Sequence, residues 1–188
     1  GGDFGVATDY QSNSSIKGAI QRMYSSTEAM DANGLTINLA WLAASLVVIV
    51  FAAWLIKRLC EEHLLVDAQL VTALTLLLIS PVSWSHHWVW LTLIIPVFVY
   101  RAWTWLPSGW AAGSLLTVLV AWSAMLLTVP PKWWWGDQVD VHAMERYQKF
   151  WVDDFVWLTI LTVALFAAAF YASQRNNRCL LYTSPSPR

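Results

Sequence analysis

The feature of this chain that most limits its possible folds is an apolar run over residues 35–56 that contains no charged residue. A helix needs about 20 apolar residues to cross the core of a bilayer, so this run is long enough to span one. Only 12% of all residues are charged and the mean hydropathy is +0.48, whereas roughly 25% of the residues in soluble domains are charged. The sequence therefore predicts a membrane protein.

Four further apolar runs follow, over residues 64–79, 88–100, 110–129 and 155–173. Together the five runs predict an all-α fold, a polytopic transmembrane helical bundle with about five spans. The run over residues 88–100 is the least suited to crossing, because it is short and Pro96 interrupts it. Asp67 lies near one end of its run, where we expect its carboxylate to reach water.

Basic residues indicate which side of the membrane each loop occupies. Lys57 and Arg58, Arg101, and Arg175 with Arg178 adjoin span ends in short segments on one face, as is typical of cytoplasmic positive charge. The other face also carries basic residues, mostly in long segments, which weigh little in that rule: Lys17, Arg22, Lys132, Arg146 and Lys149. Residues 1–34, the turn near residue 85 and the loop over residues 130–154 are therefore expected to converge outside the membrane.

This topology divides the chain into consecutive segments. We expect an outer segment with short helices over residues 1–34, four spans over 35–129, an outer interfacial loop or helix over 130–154, and a fifth span over 155–174. A cytoplasmic end follows over 175–178. The last ten residues, CLLYTSPSPR, resemble a translated sequencing adaptor and are expected to be non-native. The first residues lack an initiator Met and a signal-like segment, which indicates a piece of a longer protein.

Composition also limits the partners and the chemistry. A net charge of −1 provides no basic surface for nucleic acid, so lipids or lipid-borne molecules are the expected partners. Apart from Cys179 in the suspect tail, Cys60 is the only cysteine in the sequence. The sequence therefore indicates neither a disulfide framework nor a cysteine metal site.

The first outer segment contains NSSIKGAIQR, residues 13–22. Ser14 or Ser15 is suited to cap a short helix with Ile16, Ile20 and Met23 on one face. The N-terminus of such a helix is able to hold an anionic group such as a phosphate. The alternative is a capped surface helix that lies on its own protein.

The third outer segment places aromatic residues at helical spacing. Met144, Tyr147, Trp151 and Phe155 indicate an amphipathic helix in the membrane interface. The alternative is a wall of a lipid-substrate groove whose carboxylates meet sugar hydroxyls. The candidates for that role are Asp137, Asp140, Glu145, Asp153 and Asp154.

Between the second and third runs lies SPVSWSHHWVW, residues 80–90. Pro81 disfavours helix in the residue before it, so the second span should end near Ser80 and open into a turn. His86 and His87 would point about 100° apart on a helix, so at most one faces a site while the other anchors the turn. No second cluster completes a metal site around them. The tryptophans Trp84, Trp88 and Trp90 suit the headgroup boundary.

Two of these segments carry a family resemblance. SPVSWSHHWVW resembles the S-P-I-S-W-x-H-H-W-x-W turn of the actinobacterial polyprenol-phosphate-mannose-dependent mannosyltransferases, glycosyltransferase family 87. The stretch NSSIKGAIQR is similar to that family's N-Q-S-[LI]-x-G-x-x-x-R segment, with Ser14 where Gln is usual. The resemblance implies part of a GT-C fold in the bacterial plasma membrane, as a multi-pass protein.

The resemblance further implies inverting transfer of mannose from polyprenyl-phosphate mannose to a glycolipid acceptor on the outer face, with no cofactor and no metal. The catalytic base would lie in a first outer loop outside this chain, so the chain alone should be inactive. The implied substrate-binding residues are His86 and His87, then Lys17 and Arg22, with Asn13 and Ser15 as neutral donors and Trp84 at the turn.

A transporter or flippase module for a lipid-linked substrate is the alternative function. Ion-coupled transporters usually place ionisable groups or broken helices near the middle of the bilayer. The clearest spans of this chain have no such groups, and the sequence contains no internal repeat. A flippase without ion coupling would still be consistent with this pattern.

Overall fold

The computed structural model describes residues 8–136 and 139–183, with side chains as far as residue 176. Asp137 and the side chains of the suspected non-native tail therefore lie outside the described residues. Across the part that is described, the chain is all α-helical and forms no β-strand. The eight α-helices in this part are α1 Ile16–Arg22, α2 Thr27–Ala32, α3 Gly34–Glu61, α4 Leu65–Ile79, α5 Leu91–Trp105, α6 Trp110–Leu127, α7 Arg146–Val152 and α8 Asp154–Thr183.

Within the described ranges, four helical segments are long and apolar enough to cross a membrane: Gly34–Glu61, Ser85–Ser108, Trp110–Trp133 and Asp154–Asn176. The helix Leu65–Ile79 is also apolar but has 15 residues. At 1.5 Å per residue it is about 22 Å long, less than the roughly 30 Å of a bilayer core. The predicted multi-pass, all-α membrane bundle is confirmed.

The short member of the bundle is α4, not the run that contains Pro96. Pro96 lies inside α5 and does not end it. A 3₁₀ turn over Ser85–Trp90 precedes α5, and a second over Leu106–Ser108 follows it. These turns extend the helical segment to 24 residues, which compensates for the limited length of the apolar run itself.

The core of the bundle extends through α3, α4, α5, α6 and α8, and its aromatic part lies between α5, α6 and α8. Phe98 of α5 stacks on Phe166 of α8 with ring centroids 4.2 Å apart. Near the histidine turn, Phe155 packs edge to face against Trp88 at 5.2 Å and against the fully buried Trp122 at 5.9 Å. These contacts fix the start of α8 beside the turn that carries the two histidines.

Helix α3 packs against α4 and α1 and leaves much of its apolar surface exposed. Leu42, Leu46 and Val50 are each more than half exposed. Such exposure would be costly in water, but apolar side chains lose nothing by facing lipid. The pattern is therefore consistent with a helix at the edge of a membrane bundle.

Asp67 does not reach water, in contrast to the expectation from its position in the sequence. Its carboxylate is fully buried and receives two hydrogen bonds from Arg101 of α5, from Nε at 2.8 Å and from Nη2 at 2.7 Å. The reason is tertiary: α4 and α5 are antiparallel neighbours, which brings the first turn of α4 beside the last turns of α5. A bidentate hydrogen-bonded ion pair with the Arg101 guanidinium replaces the hydration of the Asp67 carboxylate.

Candidate functional site

Asn13 joins the first outer segment to the histidine turn. Its Nδ2 donates to the carbonyl oxygens of Thr8 at 2.6 Å and Pro81 at 3.1 Å, and its Oδ1 accepts from the amide of Ser83 at 2.8 Å. The Ser14 amide donates to the Ser83 carbonyl at 2.8 Å, beside an isolated bridge between Asn13 and Trp84. Because its amide is buried and bonded at both ends, Asn13 positions the turn and has no surface to offer a substrate.

Ser15 begins α1, as one of the two predicted caps. Its Oγ accepts from the Gly18 amide at 3.1 Å and lies 3.4 Å from the Pro81 carbonyl oxygen. A side chain at Gly18 would clash, because a Cβ there would lie 2.8 Å from the Asn13 carbonyl oxygen. Glycine at this position therefore allows α1 to approach the segment that holds the turn.

The predicted apolar face of α1 is only partly correct. Ile16 is buried and Ile20 is half-buried, and both pack on the main core. Met23 is 77% exposed, because α1 ends at Arg22 and Met23 follows as its C-cap. Because α1 has only 7 residues, about two turns, its apolar face does not extend to Met23.

Arg22 is fully buried and its hydrogen-bonding capacity is used within the protein. Its Nε donates to Asp153 Oδ1 at 2.9 Å, and its Nη2 donates to the same oxygen and to the Asn13 carbonyl oxygen at 3.0 Å. Its Nη1 donates to the carbonyl oxygens of Tyr10 at 2.7 Å and Asp9 at 3.4 Å. A guanidinium has five N–H groups. Arg22 therefore orders the outer segments and does not face a ligand.

Lys132 is a second buried cation, one that sequence reasoning did not select. Its Nζ lies 3.1 Å from Asp154 Oδ1, donates to Ser14 Oγ, and is 3.5 Å from the centroid of the Phe155 ring. Its backbone amide lies 3.3 Å from Asp154 Oδ2. The only sequence signal was a lysine between Pro131 and Trp133. That pattern does not distinguish a buried lysine from an exposed one.

Two of the carboxylates proposed to meet sugar hydroxyls are used in these pairs. Asp153 and Asp154 are 6% and 5% exposed, respectively, and lie at the junction of α7 and α8. Burial raises the pKa of Asp153, and the Arg22 guanidinium opposes that shift. Asp140 and Glu145 remain on the surface.

The junction at Asp153 also divides the predicted amphipathic helix into two. Met144 is buried and Phe155 belongs to the core, whereas Tyr147 is 63% and Trp151 45% exposed. The outward aromatic surface includes Phe150, whose ring packs edge to face against Trp151 at 5.9 Å. An exposed set of this kind suits the headgroup region, but its members differ from the four predicted.

The two histidines face different grooves. His87 Nδ1 accepts from the Trp84 amide at 3.2 Å, which requires Nδ1 to carry no proton and fixes the ring against the turn. His87 also lines a cleft of about 340 Å³ with Thr72 and Leu76 of α4. The His86 ring lies edge to face against His87, with centroids 4.4 Å apart, and its side chain is exposed.

His86 lies on a larger groove of about 700 Å³, hereafter the His86 groove. It lies between α5, α6 and the loop that follows α6, and its lining is mainly apolar. The lining includes His86, Trp88, Ile95, Leu126, Pro130 and Trp133. Trp88 is 3% exposed, and its indole Nε1–H has no hydrogen-bond partner among the described residues. The groove therefore combines an apolar trough with an exposed histidine.

The remaining predicted residues, Lys17 and Trp84, line neither the His86 groove nor the cleft beside His87. Lys17 Nζ is 4.9 Å from the ring centroid of Trp41, and the lysine is half-exposed. The Trp84 ring packs at a tilt against Tyr10, with centroids 6.1 Å apart, and is half-buried. In the described ranges, no group of three or more metal-ligating side chains is placed to hold a metal ion.

Comparison with known proteins points to one family. The model of glycosyltransferase family 87 matches residues 2–81, a range that contains NSSIKGAIQR and ends as the histidine turn begins. No solved structure matches the chain.

Curated relatives are similar over parts of the chain. A polyprenol-phosphate-mannose-dependent alpha-(1-2)-phosphatidylinositol mannoside mannosyltransferase of Mycobacterium tuberculosis is 36% identical over 44% of this chain and 20% of its own length. A polyprenol-phosphate-mannose-dependent alpha-(1-2)-phosphatidylinositol pentamannoside mannosyltransferase of the same species is 32% identical over 66% of this chain and 25% of its own length. A relative from Mycolicibacterium smegmatis, with the same name as the first, is 34% identical over 42% of this chain.

The chain spans about a fifth to a quarter of the length of these relatives. The matched region carries the Asn13, Ser15, Gly18 and Arg22 positions, which the structure places in one connected cluster. Over residues 2–81 this chain is therefore similar to glycosyltransferase family 87, and it resembles parts of polyprenol-phosphate-mannose-dependent mannosyltransferases.

Proposed function

We propose that this chain forms a donor-binding part of a membrane mannosyltransferase that uses polyprenyl-phosphate mannose. The observation that carries the proposal is the position of His86, exposed on the turn and lining an apolar groove of about 700 Å³. A polyprenyl phosphate joins an anionic head to an apolar chain, and the groove offers a partner for each. The relatives are named as polyprenol-phosphate-mannose-dependent enzymes, which supports the same donor.

The proposed reaction is a single inverting displacement. An acceptor hydroxyl attacks the anomeric carbon of mannose, a base takes the hydroxyl proton, and the bond from the anomeric carbon to the phosphate oxygen breaks. His86 donates a hydrogen bond to the departing phosphate, which stabilises the charge that develops there. The base is assigned to none of the residues in this chain. The reaction as proposed requires no metal or other cofactor.

The buried cluster around Arg22 acts on this site indirectly. Asn13 and Ser14 bond the backbone of the histidine turn at Ser83, and Arg22 bonds the Asn13 carbonyl oxygen. His87 anchors the turn through its Nδ1. In this proposal Asn13, Ser15, Arg22 and His87 are positioning residues, whereas Lys17 and Trp84 do not line the His86 groove.

The proposal also includes the side of the membrane on which the site lies and the class of the acceptor. The site lies on the outer side of the bacterial plasma membrane, because the basic residues that adjoin span ends in short loops lie at the opposite end of the bundle. The acceptor is a glycolipid, as the names of the relatives, which mention phosphatidylinositol mannosides, suggest.

The test compares His86→Ala with His63→Asn in a protein restored to the full length of the relatives. His86→Ala should lower kcat/KM for the polyprenyl-phosphate donor about tenfold or more, the loss expected for a charge-assisted hydrogen bond. His63 lies at the other end of the bundle with φ of 58°, and asparagine tolerates that conformation. His63→Asn should therefore leave transfer unchanged.

A folded and inserted His86→Ala variant with parental kcat/KM would reject the proposed donor contact. Equal losses in His86→Ala and His63→Asn would point to general destabilisation instead. Thermal unfolding in detergent separates these outcomes, since His86 makes no buried contact whose loss should lower the unfolding temperature.

A further inference from the structure

The buried lysine Lys132 has no role in the proposed reaction, although it lies directly behind the His86 groove. It belongs to a 3₁₀ turn, Pro131–Trp133, and its side chain is fully buried. Residues three positions apart in such a turn lie on the same side, which places Pro130 and Trp133 together. Both line the groove, while Lys132 points into the protein. Residues 130–133 are hereafter the wall turn.

Lys132 joins the wall turn to two other segments. Its Nζ lies 3.1 Å from Asp154 Oδ1 and 3.5 Å from the centroid of the Phe155 ring, at the start of α8. The same Nζ donates to Ser14 Oγ, which is 118 positions away in the sequence. Because Phe155 also lines the His86 groove, Lys132 contacts one lining residue directly.

Ser14 continues this connection to the turn that carries the histidines. Its amide donates to the Ser83 carbonyl oxygen at 2.8 Å, and both residues are buried. Ser83 lies two positions before the 3₁₀ turn Ser85–Trp90, which includes His86. Lys132 and Ser14 therefore form a continuous polar connection between the two turns that line the His86 groove.

Within the described part of the chain, the other hydrogen bonds of the wall turn are local. The Trp133 amide donates to the Pro130 carbonyl oxygen at 2.9 Å, and the Trp134 amide donates to that of Pro131 at 3.1 Å. Apolar packing tolerates small displacements, whereas a charge-assisted hydrogen bond requires a defined geometry. The contacts of Lys132 are therefore the polar contacts that set the position of the wall turn relative to distant segments.

A buried ion pair at this place is informative, because such pairs contribute little net stability. The lost hydration of the two charges offsets much of their attraction, and apolar residues of similar volume are often as stable. The side chains of Lys132 and Asp154 are 0% and 2% exposed, so this loss of hydration is nearly complete. A contact that adds little stability but holds a defined geometry suits a positioning role.

We propose that Lys132 is a positioning residue that sets the width of the His86 groove, because it holds the wall turn at a fixed distance from the histidine turn through Ser14. The apolar chain of the polyprenyl donor then lies against Pro130 and Trp133. This effect on the donor rests on the proposed function. The connection between the two turns does not, because it follows from the contacts of Lys132 and Ser14 alone.

The first measurement is the distance between the two turns, without any donor lipid. Nitroxide labels are attached at Trp90→Cys and Val129→Cys, since both positions are exposed and neither lines the His86 groove. Cys60 and Cys179 are replaced by serine. Double electron–electron resonance on the chain in lipid nanodiscs should give one narrow distance distribution for the parent.

Two variants remove the connection in different ways. Ser14→Ala removes the hydroxyl that accepts from Lys132 but keeps the amide bond to Ser83 and the ion pair. Lys132→Met combined with Asp154→Asn removes the ion pair, leaves no unpaired charge buried, and keeps an acceptor for the Phe155 amide. Both variants should broaden the distance distribution, and the broadening should occur without a large loss of thermal stability.

Lys149→Met is the matched control, because it removes another lysine from the same outer segment. Lys149 Nζ donates to the carbonyl oxygens of Tyr24 at 3.0 Å and His142 at 3.2 Å, and Lys149 does not line the His86 groove. The distance distribution of Lys149→Met should equal that of the parent. Equal broadening in Lys149→Met and Ser14→Ala would overturn the proposal.

The second measurement is donor kinetics in the protein restored to the full length of the relatives. Ser14→Ala should raise KM for polyprenyl-phosphate mannose about threefold to tenfold, because a gap of roughly 1 Å along the wall turn weakens its dispersion contacts. The value of kcat should change little, since the donor chain contacts the wall turn equally in the ground state and the transition state. A structural defect alone would not produce this selective rise in KM.

His86→Ala separates this inference from the proposed function. If His86→Ala retains transfer while Ser14→Ala broadens the distance distribution, the donor assignment fails and the connection between the turns stands. If His86→Ala loses transfer while Ser14→Ala and the double variant keep parental distances, the role of Lys132 fails and the donor assignment stands. A broadened distribution with a parental KM would overturn the proposed effect of Lys132 on the donor.

Discussion

The two ends of the helical bundle use charge differently. In the topology predicted from the sequence, the end with the histidine turn is the outer end and the end with Lys57 and Arg58 is the inner end. At the outer end, Arg22 and Asp153 lie 131 positions apart in the sequence and pair in the protein interior. At the inner end, Arg58 pairs with Glu61 three positions away, at 3.0 Å on an exposed surface. Breaking a buried pair leaves an uncompensated charge, whereas an exposed local pair contributes little. Only the outer pairs therefore connect segments into a site.

The ion pair of Asp67 and Arg101 is an exception to this difference between the two ends. Their pair lies at the inner end, yet Asp67 is fully buried and the two residues belong to neighbouring helices. It joins α4 to α5 but does not line the His86 groove. The comparison therefore separates pairs that stabilise the bundle from pairs that also position functional groups.

The largest effect is expected from Arg22→Met. The change leaves Asp153 buried without its partner and should destabilise the protein by about 3–5 kcal/mol. It should also abolish transfer in the full-length protein, because Arg22 holds the carbonyl oxygens of Asn13 and Tyr10. Chemical unfolding in detergent and a donor-dependent transfer assay provide the two measurements.

Arg58→Met is the matched control for that change, because it removes an exposed arginine from the inner end. It should unfold as the parent does. Adding Asp153→Leu to Arg22→Met should recover part of the lost stability, since no unpaired charge then remains buried. If Arg22→Met and Arg58→Met had equal effects, the difference drawn between the two ends would be wrong.

A smaller effect is expected from Gly18→Ala. Its Cβ would lie 2.8 Å from the Asn13 carbonyl oxygen, and relief of that contact requires a backbone shift that should cost about 1–3 kcal/mol. Because Asn13 holds the histidine turn, kcat/KM should fall as well. Gly34→Ala meets no atom within 4 Å and serves as the control. Parental stability in Gly18→Ala would show that α1 does not need this close approach.

Asp67→Asn should have the smallest effect and should separate stability from activity. Asparagine keeps one acceptor for Arg101 but loses the charge, so the expected cost is about 1–2 kcal/mol. The transfer activity of the folded variant should equal that of the parent. A selective loss of kcat/KM, with little change in unfolding, would instead assign the inner pair a functional role.

Much of the bundle could be predicted from residue patterns. The apolar runs predicted the long helices, Ser15 was one of two predicted caps, and Pro81 was expected to end the second span near Ser80. These features depend on interactions within a few residues, which local sequence determines. The two histidines were also expected to point apart, and they line different clefts.

Other expectations failed where distant contacts decide the outcome. Asp67 was expected to reach water, but a neighbouring helix supplies Arg101. A single interfacial helix through Phe155 was expected. Instead, the helix is interrupted at Asp153, whose carboxylate binds Arg22. Lys132 was not selected, since the sequence does not reveal that Ser14 and Asp154 surround it.

The sequence by itself determined that this chain spans a membrane as helices, because a bilayer core admits an apolar backbone only when its hydrogen bonds are satisfied internally. It also carried the residues of the two family motifs. Only the tertiary structure decided their roles. Arg22 and Asn13 make buried contacts within the protein, while His86 lies exposed on a groove. The physical reason is that a polar side chain binds whichever partner the fold brings to it, and those partners lie as far as 131 positions away.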